Sequence, residues 1–352
     1  MTDTTAENDL AQPYKPSWVD RFTDWVGKLP LPPWIFYVGL GLGLSLIQVL
    51  FLWLDGGLTK AEVLLPVIIF NGLSIPFLLA LVRLLDDQAV TALNAMRPML
   101  DISEPEFDRF QYMLSNMPSR PAFIIGLGLL VFYTLIELLW TAPVRFAALE
   151  QLPVFAIVFH ICDKSPAFVF GAFFYHTIRQ LRLANTINSN YVRISLFDLG
   201  PSQAFSKLTA YTAVGLIFGM YGWMLINPDL LADPISVGFV GVFSILAVAV
   251  FVWPLWGVHR LVEREKARIL HEIDLRFEAV FANFDQHLRD EEYAETERLN
   301  ATIASLEIQY RRISEIPTWP WRPETARFVL TAIALPLILT ILQFFVLQGL
   351  DR

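Results

Sequence analysis

The sequence predicts an all-α, polytopic membrane protein: seven transmembrane helices with a cytoplasmic helical hairpin between helices 6 and 7. Three observations predict it. Mean hydropathy is +0.49, with 55% hydrophobic residues over 352, above what a soluble domain of this length carries. Apolar runs long enough for a helix to cross about 30 Å of hydrocarbon recur along the chain. Between Val258 and Ile316 there is neither glycine nor proline, and apolar residues return there at steps of three and four, the signature of amphipathic helix.

The chain begins with a Thr-, Asp- and Glu-rich stretch up to Asp24. It lacks the basic segment and cleavage site of a signal peptide, and 1–32 reads as a mobile or surface-lying cytoplasmic lead-in. The bundle of six spans occupies 33–258. Span one is Pro33–Leu54, with Gly39 and Gly43 as a small-xxx-small pair suited to close helix approach. Span two is 63–85, where Asn71, Gly72 and Pro76 predict a kink. A polar connector, 86–120, is amphipathic around Phe107, Phe110 and Met113. Span three is 121–140 and contains Glu137. Span four, 153–178, carries His160, Cys162, Asp163, Lys164 and Pro166, so it is expected to be broken or shielded there. Spans five and six are 208–226 and 235–258.

The segment 259–322 reads as a helical anchor or hairpin, turning within 285–292 where charge clusters. Pro317, Pro320 and Pro323 then stop the helix, with Trp319 and Trp321 as interfacial anchors or a hinge. The last span, 326–348, lies in the final segment 323–352. With seven spans, Lys and Arg concentrate in one alternating set of loops: the lead-in and the loops 86–120, 179–207 and 259–325. The positive-inside rule then puts the N-terminus in the cytoplasm and the C-terminus outside. The expected location is the cell membrane.

Formal charge is −8, with no basic patch for nucleic acid. Cys162 is the single cysteine, so an internal disulfide is excluded, and no metal or cofactor is expected. No HExxH, GxSxG, Walker loop or Gly-rich dinucleotide turn occurs, and the chain reads as a non-enzyme. His259 and His271 read as surface histidines. Ionisable groups within spans mark structural pairs or functional sites. Glu137, His160, Asp163 and Lys164 lie at comparable depth; a structural ion pair, a ligand or ion pocket and a proton relay all remain open. In the last span Thr340 and Gln343 share a helix face. Around an axis of several copies, that face would form a polar ring beside an apolar constriction that gates by wetting.

Seven spans, an inside N-terminus, helices between spans six and seven, and a last span ending in Gln343-Phe344 resemble the insect odorant and gustatory receptor superfamily of ion channels. The family's Thr-Tyr pair, expected before Gln-Phe, is Pro336-Leu337 here. The stretch 196–210 is similar to one that recurs in bacterial membrane proteins, which implies a prokaryotic member. The resemblance implies a homo-tetramer held by its cytoplasmic helices, with the last span lining one pore. It places Thr340, Gln343 and Phe344 at the gate. It also puts a small-molecule ligand near Glu137, His160, Asp163 and Lys164. The expected function is a cation-conducting, ligand-gated channel in the lipid bilayer. The alternatives are a non-conducting sensor or scaffold signalling through the cytoplasmic helices, and a secondary transporter.

Overall fold

The structure, a computed structural model, describes residues 12–139, 149–192, 196, 203–225, 234–289 and 293–350. Among them the chain is helical, with two isolated bridges and no strand. The helices are α1 (Trp18–Gly27), α2 (Pro33–Leu54), α3 (Ala61–Met96), α4 (Glu104–Ser115), α5 (Ser119–Leu139), α6 (Pro153–Asn190), α7 (Ala204–Leu225), α8 (Pro234–Val252), α9 (Trp256–Arg289), α10 (Tyr293–Ser314) and α11 (Pro323–Leu350). Six stretches of described helix are long and apolar enough to cross a membrane: Pro33–Leu54, Gly57–Met99, Pro153–Asn190, Ala204–Leu225, Val240–Asp285 and Pro323–Leu342. The expected third span falls on a shorter apolar stretch, Ser119–Leu135. By length and composition this is a multi-pass membrane protein. Its outward side chains agree: Leu46, Ile124, Ile161, Phe218, Ile245 and Leu330 are each more than half exposed, a liability in water and ordinary against lipid tails.

Within the expected mobile or surface-lying lead-in, of which residues 1–11 lie outside the described residues, Trp18–Gly27 form a docked helix. Ser17 caps α1, its Oγ accepting from Asp20 N–H while Asp20 Oδ2 accepts from Ser17 N–H at 2.7 Å. This reciprocal capping box satisfies two orphan donors at the helix start. Val19, Asp20, Thr23 and Val26 form its buried face.

Helices α2 and α3 touch through small residues, although not the pair the sequence suggested. Gly39 and Gly43 face open space, whereas a Cβ on Gly72 would stand 2.9 Å from Gly41 O and would also strike Ser45 Oγ. Gly41 and Ser45 are the small-xxx-small pair that meets α3. A similar crossing joins α5 and α6, where a Cβ on Gly171 would lie 2.7 Å from Gly126 Cα. Gly56, at φ 72°, ends α2 in the left-handed conformation that favours glycine. One residue earlier, Asp55 Oδ2 accepts from Val154 and Phe155 N–H at 2.9 and 2.7 Å. It caps α6, whose own cap residue Leu152 has no side-chain acceptor.

Pro66, Pro76 and Pro166 sit inside helices that continue through them. Span four is therefore shielded, not broken. Helix α3 also runs eleven residues past the expected end at Leu85, so Asp86 lies on a helix and not in a loop. The amphipathic stretch expected in that connector forms α4, with Phe107 and Leu114 buried.

The centre of the bundle is α3, packed on α2, α6 and α7; α7 carries α8 and α11 on its other side. Beyond α8 a 3-10 turn, Trp253–Leu255, leads into α9. Helices α9 and α10 lie antiparallel. Lys266 Nζ, in the N-terminal third of α9, donates to Ser314 O at the end of α10 and to Ile316 O just beyond it, at 2.5 and 2.9 Å. Val262, Ile273, Leu306 and Ile313 bury their shared apolar stripe. The expected turn spans residues 285–292; α9 continues to Arg289, and 290–292 lie outside the described residues.

Trp319 and Trp321 close the base of this pair. His259 stacks on Trp319 at 4.0 Å, Trp319 on Trp321 at 4.4 Å, and Trp321 on Phe251 at 5.1 Å. His259 is thus a stacked, largely buried ring and not the surface histidine expected; His271 is exposed as expected.

Candidate functional site

The densest polar structure lies where α3 and α6 run on past their apolar halves, at the end of the bundle that also bears the α9–α10 pair. His176 and Gln180 are one helical turn apart on α6 and face the same point on α3. His176 Nε2–H donates to Asp86 Oδ1 at 2.6 Å, and Gln180 Nε2 donates to the same oxygen at 3.1 Å and to Leu114 O at 2.8 Å. All three side chains are buried.

One residue from this face, Arg179 organises the neighbouring loop. Its guanidinium donates to Met113 O at 2.8 Å, to Asn116 O at 2.7 Å and to the Tyr14 hydroxyl. Tyr14 OH donates to Asn116 O, and Tyr112 OH donates to Tyr14 O. The N-terminal segment, α4 and α6 are thereby joined. Asp20 completes the junction: the Oδ2 that closes its capping box also accepts Met117 N–H at 3.0 Å. Burial pushes the Asp20 carboxyl above the usual carboxylate range, against the lowering pull of His176 and of the Met117 and Ser17 donors. Burial likewise pushes the Tyr14 phenol up, despite Arg179 beside it.

The junction is incompletely satisfied. Asp20 Oδ1, His176 Nδ1, Gln180 Oε1, Thr177 Oγ1 and Trp18 Nε1 are buried and meet no partner among the described residues. Unpaired buried polar atoms are costly, and others lie elsewhere in the bundle, on Tyr37, Gln48, Asn71, Asn188 and His259. Beside it opens a cavity of about 430 Å³ lined by Asp20, Asp24, Asp86, Asp87 and Arg83, together with hydroxyl and amide side chains that include Ser115 and Asn116. Arg83 bridges Asp24 at 3.2 Å and Asp87 at 3.3 Å on the exposed rim. That leaves Asp20 and Asp86 as the inner carboxylates.

The residues singled out from the sequence lie elsewhere. Asp163 is buried and accepts a hydrogen bond from Tyr133 OH at 3.2 Å. Lys164 Nζ lies 3.5 Å from His160 Nδ1 and 6.0 Å from the Tyr133 ring centre. Span three therefore does shield the polar patch of span four, through a tyrosine. Glu137 lies on α5, and Gln343 and Phe344 lie on α11, but their side chains fall outside the described residues. Thr340 is buried and paired with Tyr221 OH at 2.7 Å, its hydroxyl also reaching Pro336 O. It is turned into its own bundle and not outward with a free helix face. Among the described residues no group of three His, Cys, Asp or Glu could hold a metal ion.

The sequence reading missed the junction itself. Asp86 falls in the expected connector and Asp20 in the expected mobile or surface-lying lead-in. Two local signals were present: the Ser17-x-x-Asp20 spacing of a capping box, and His176 with Gln180 on one turn. Neither says that the two meet around Asp86. No protein-family model matches the chain, and no curated protein or solved structure matches it at a significant level.

Proposed function

We propose that this chain is one subunit of a homo-tetrameric ion channel, cation-conducting and opened by a ligand, with α11 lining the shared pore. In this reading the chain crosses the membrane seven times, α5 included, with the N-terminus and the α9–α10 pair in the cytoplasm. It resembles in this the insect odorant and gustatory receptor channels.

One observation carries the proposal. Among the described residues helix α11 packs chiefly on α7 and α8. Its buried residues, Val329, Ile333 and Thr340, form one narrow stripe at helical spacing, while Phe328, Leu335, Ile338 and Leu342 stand exposed around the rest. Such a peripheral helix is free to meet copies of itself about an axis. Its apolar outer face suits a constriction that conducts only when wetted. Thr340 then fastens α11 to Tyr221, and Gln343 and Phe344, the next turn along, are the gate residues that the resemblance implies. The ligand pocket of this reading is the region of Glu137, His160, Asp163 and Lys164.

The test is single-channel recording of the purified protein in planar bilayers, wild type beside Gln343→Ala. Unitary currents whose conductance changes at least twofold with the substitution support the proposal. Folded oligomers that pass no current with either protein, across a panel of small-molecule ligands, count against it.

A second reading, a non-conducting sensor, is favoured by the ring stack. His259 at the base of α9, Trp319 and Trp321 before α11, and Phe251 on α8 form one continuous column. Movement of a span would be passed directly to the helical pair. Co-purification of a stoichiometric soluble partner bound to α9–α10 would favour this reading.

A further inference from the structure

We propose that the exposed arginines where α8, α9 and α11 meet hold the phosphate of an anionic phospholipid, with Arg260 and Arg322 as its principal ligands. The inference rests on the multi-pass character of the chain and not on the channel reading.

Two crossings of the chain reach one level at this joint. Phe251, on the last turn of α8, stacks on Trp321, two residues before α11, at 5.1 Å. Trp319 touches Trp321 at 4.4 Å and Trp256, the first residue of α9, at 5.6 Å. On the span side, Val242, Ile245 and Val248 of α8 and Phe328 and Leu330 of α11 are exposed apolar side chains. At the joint itself Trp253 and Trp256 are 49% and 43% exposed. Half-exposed indoles where apolar helix gives way to charged helix suit the headgroup layer of a bilayer.

The positive charge at this level is uncompensated. Arg260 and Arg264 follow Trp256 at spacings of four, so the three share one face of α9. Arg322 and Arg327 flank the first turn of α11. All four arginines are exposed, and among the described residues none makes a side-chain hydrogen bond or ion pair. Arg268, by contrast, is held by Glu265 and Glu272. The acidic neighbours are Glu263, 3.9 Å from His259, and Glu324, two carboxylates against four guanidinium groups. Arg260 lies with its Cζ 5.7 Å above the Trp256 ring. That contact seats the guanidinium over an indole and leaves its N–H fork open for a phosphate. The adjoining surface selects a lipid over a soluble phosphate: acyl chains can lie along the exposed apolar side chains of α8 and α11 that lead to the same arginines. A headgroup with net negative charge is favoured over a choline headgroup, whose own cation the arginines repel.

The experiment is native mass spectrometry of the full-length protein in mild detergent, titrated with phosphatidylglycerol or with phosphatidylcholine of the same acyl chains. Severalfold greater retention of phosphatidylglycerol is expected. Arg260→Gln and Arg322→Gln, both at exposed positions that the fold does not need, are each expected to cut that retention at least threefold. Arg276→Gln makes the same charge change further along α9, at an exposed position, and is expected to leave it unchanged. Four results would each overturn the proposal. Equal retention of the two lipids would remove the charge preference. Equal loss in Arg276→Gln would make the effect one of net charge. Displacement of the lipid by inorganic phosphate would mark a soluble ligand. A changed subunit number in Arg260→Gln or Arg322→Gln, with lipid retention intact, would make this face a contact between copies of the chain.

Discussion

At the scale of single residues, Asp20 shows how one carboxylate can tie three segments together. Its Oδ2 serves the start of its own helix and the backbone of Met117, ninety-seven residues away. The same burial that fixes it holds its pKa above that of the unfolded chain. Between the unfolded value, about 4, and the raised folded value, the folded protein binds more protons than the unfolded one. Stability therefore falls as pH rises through that window, and the full cost of the buried charge is present above it. Asp20→Asn keeps an acceptor for Met117 and removes the titration. Its melting temperature, followed by tryptophan fluorescence from about pH 4 to about pH 7, is expected to show a shallower slope than the wild type. An unchanged slope would place the titration on another group.

At the scale of helices, close approach is decided by which small residues face each other. A Cβ at Gly72 meets Gly41 O and Ser45 Oγ, so Gly72→Ala must push α2 and α3 apart. Overpacking of this kind costs about 1–3 kcal/mol and should lower the melting temperature by several degrees. Gly39→Ala, over open space, should leave it unchanged or raise it slightly, because alanine is the better helix former. The ring column makes a second prediction. Trp319 is its second ring, between His259 and Trp321, and truncation to alanine removes two stacked faces at a cost of about 2 kcal/mol. Hydrogen exchange in 316–322 is expected to accelerate severalfold in Trp319→Ala while α3 stays protected. Equal acceleration in α3 would mean that the column stabilises the whole bundle and not a local joint.

At the scale of the molecule, the chain is a helical bundle built on α3 and α6, with α11 on its flank and a charged helical pair at one end. The flank position of α11 makes oligomerisation the decisive property. Native mass measurement in mild detergent is expected to give four copies; a monomer would remove the shared pore and turn the reading toward a sensor. The two ends of the bundle also differ in character. Asp55, Lys60 and Gln151 form a small cap at one end. The Tyr14–Asp20–Asp86–His176 junction and the acidic cavity lie at the other.

The sequence by itself determined the all-helical class, the apolar helices and their approximate limits, the helical pair between Trp256 and Ser314, and the polar patch of span four. These follow from hydropathy and its period, which are properties of neighbouring residues. Only the tertiary structure decided that Gly41 and not Gly39 meets α3, that Thr340 turns inward to Tyr221, and that the N-terminal segment docks. It alone brought Asp20, Asp86 and His176 to one place. A helix pattern states which face is polar but not what that face will meet. The partner is set by the register between helices, and His176 finds Asp86 across ninety residues of chain. Charged residues near the ends of spans read as loop or solvated surface until that register is known, because their burial is affordable only once the partner is in place.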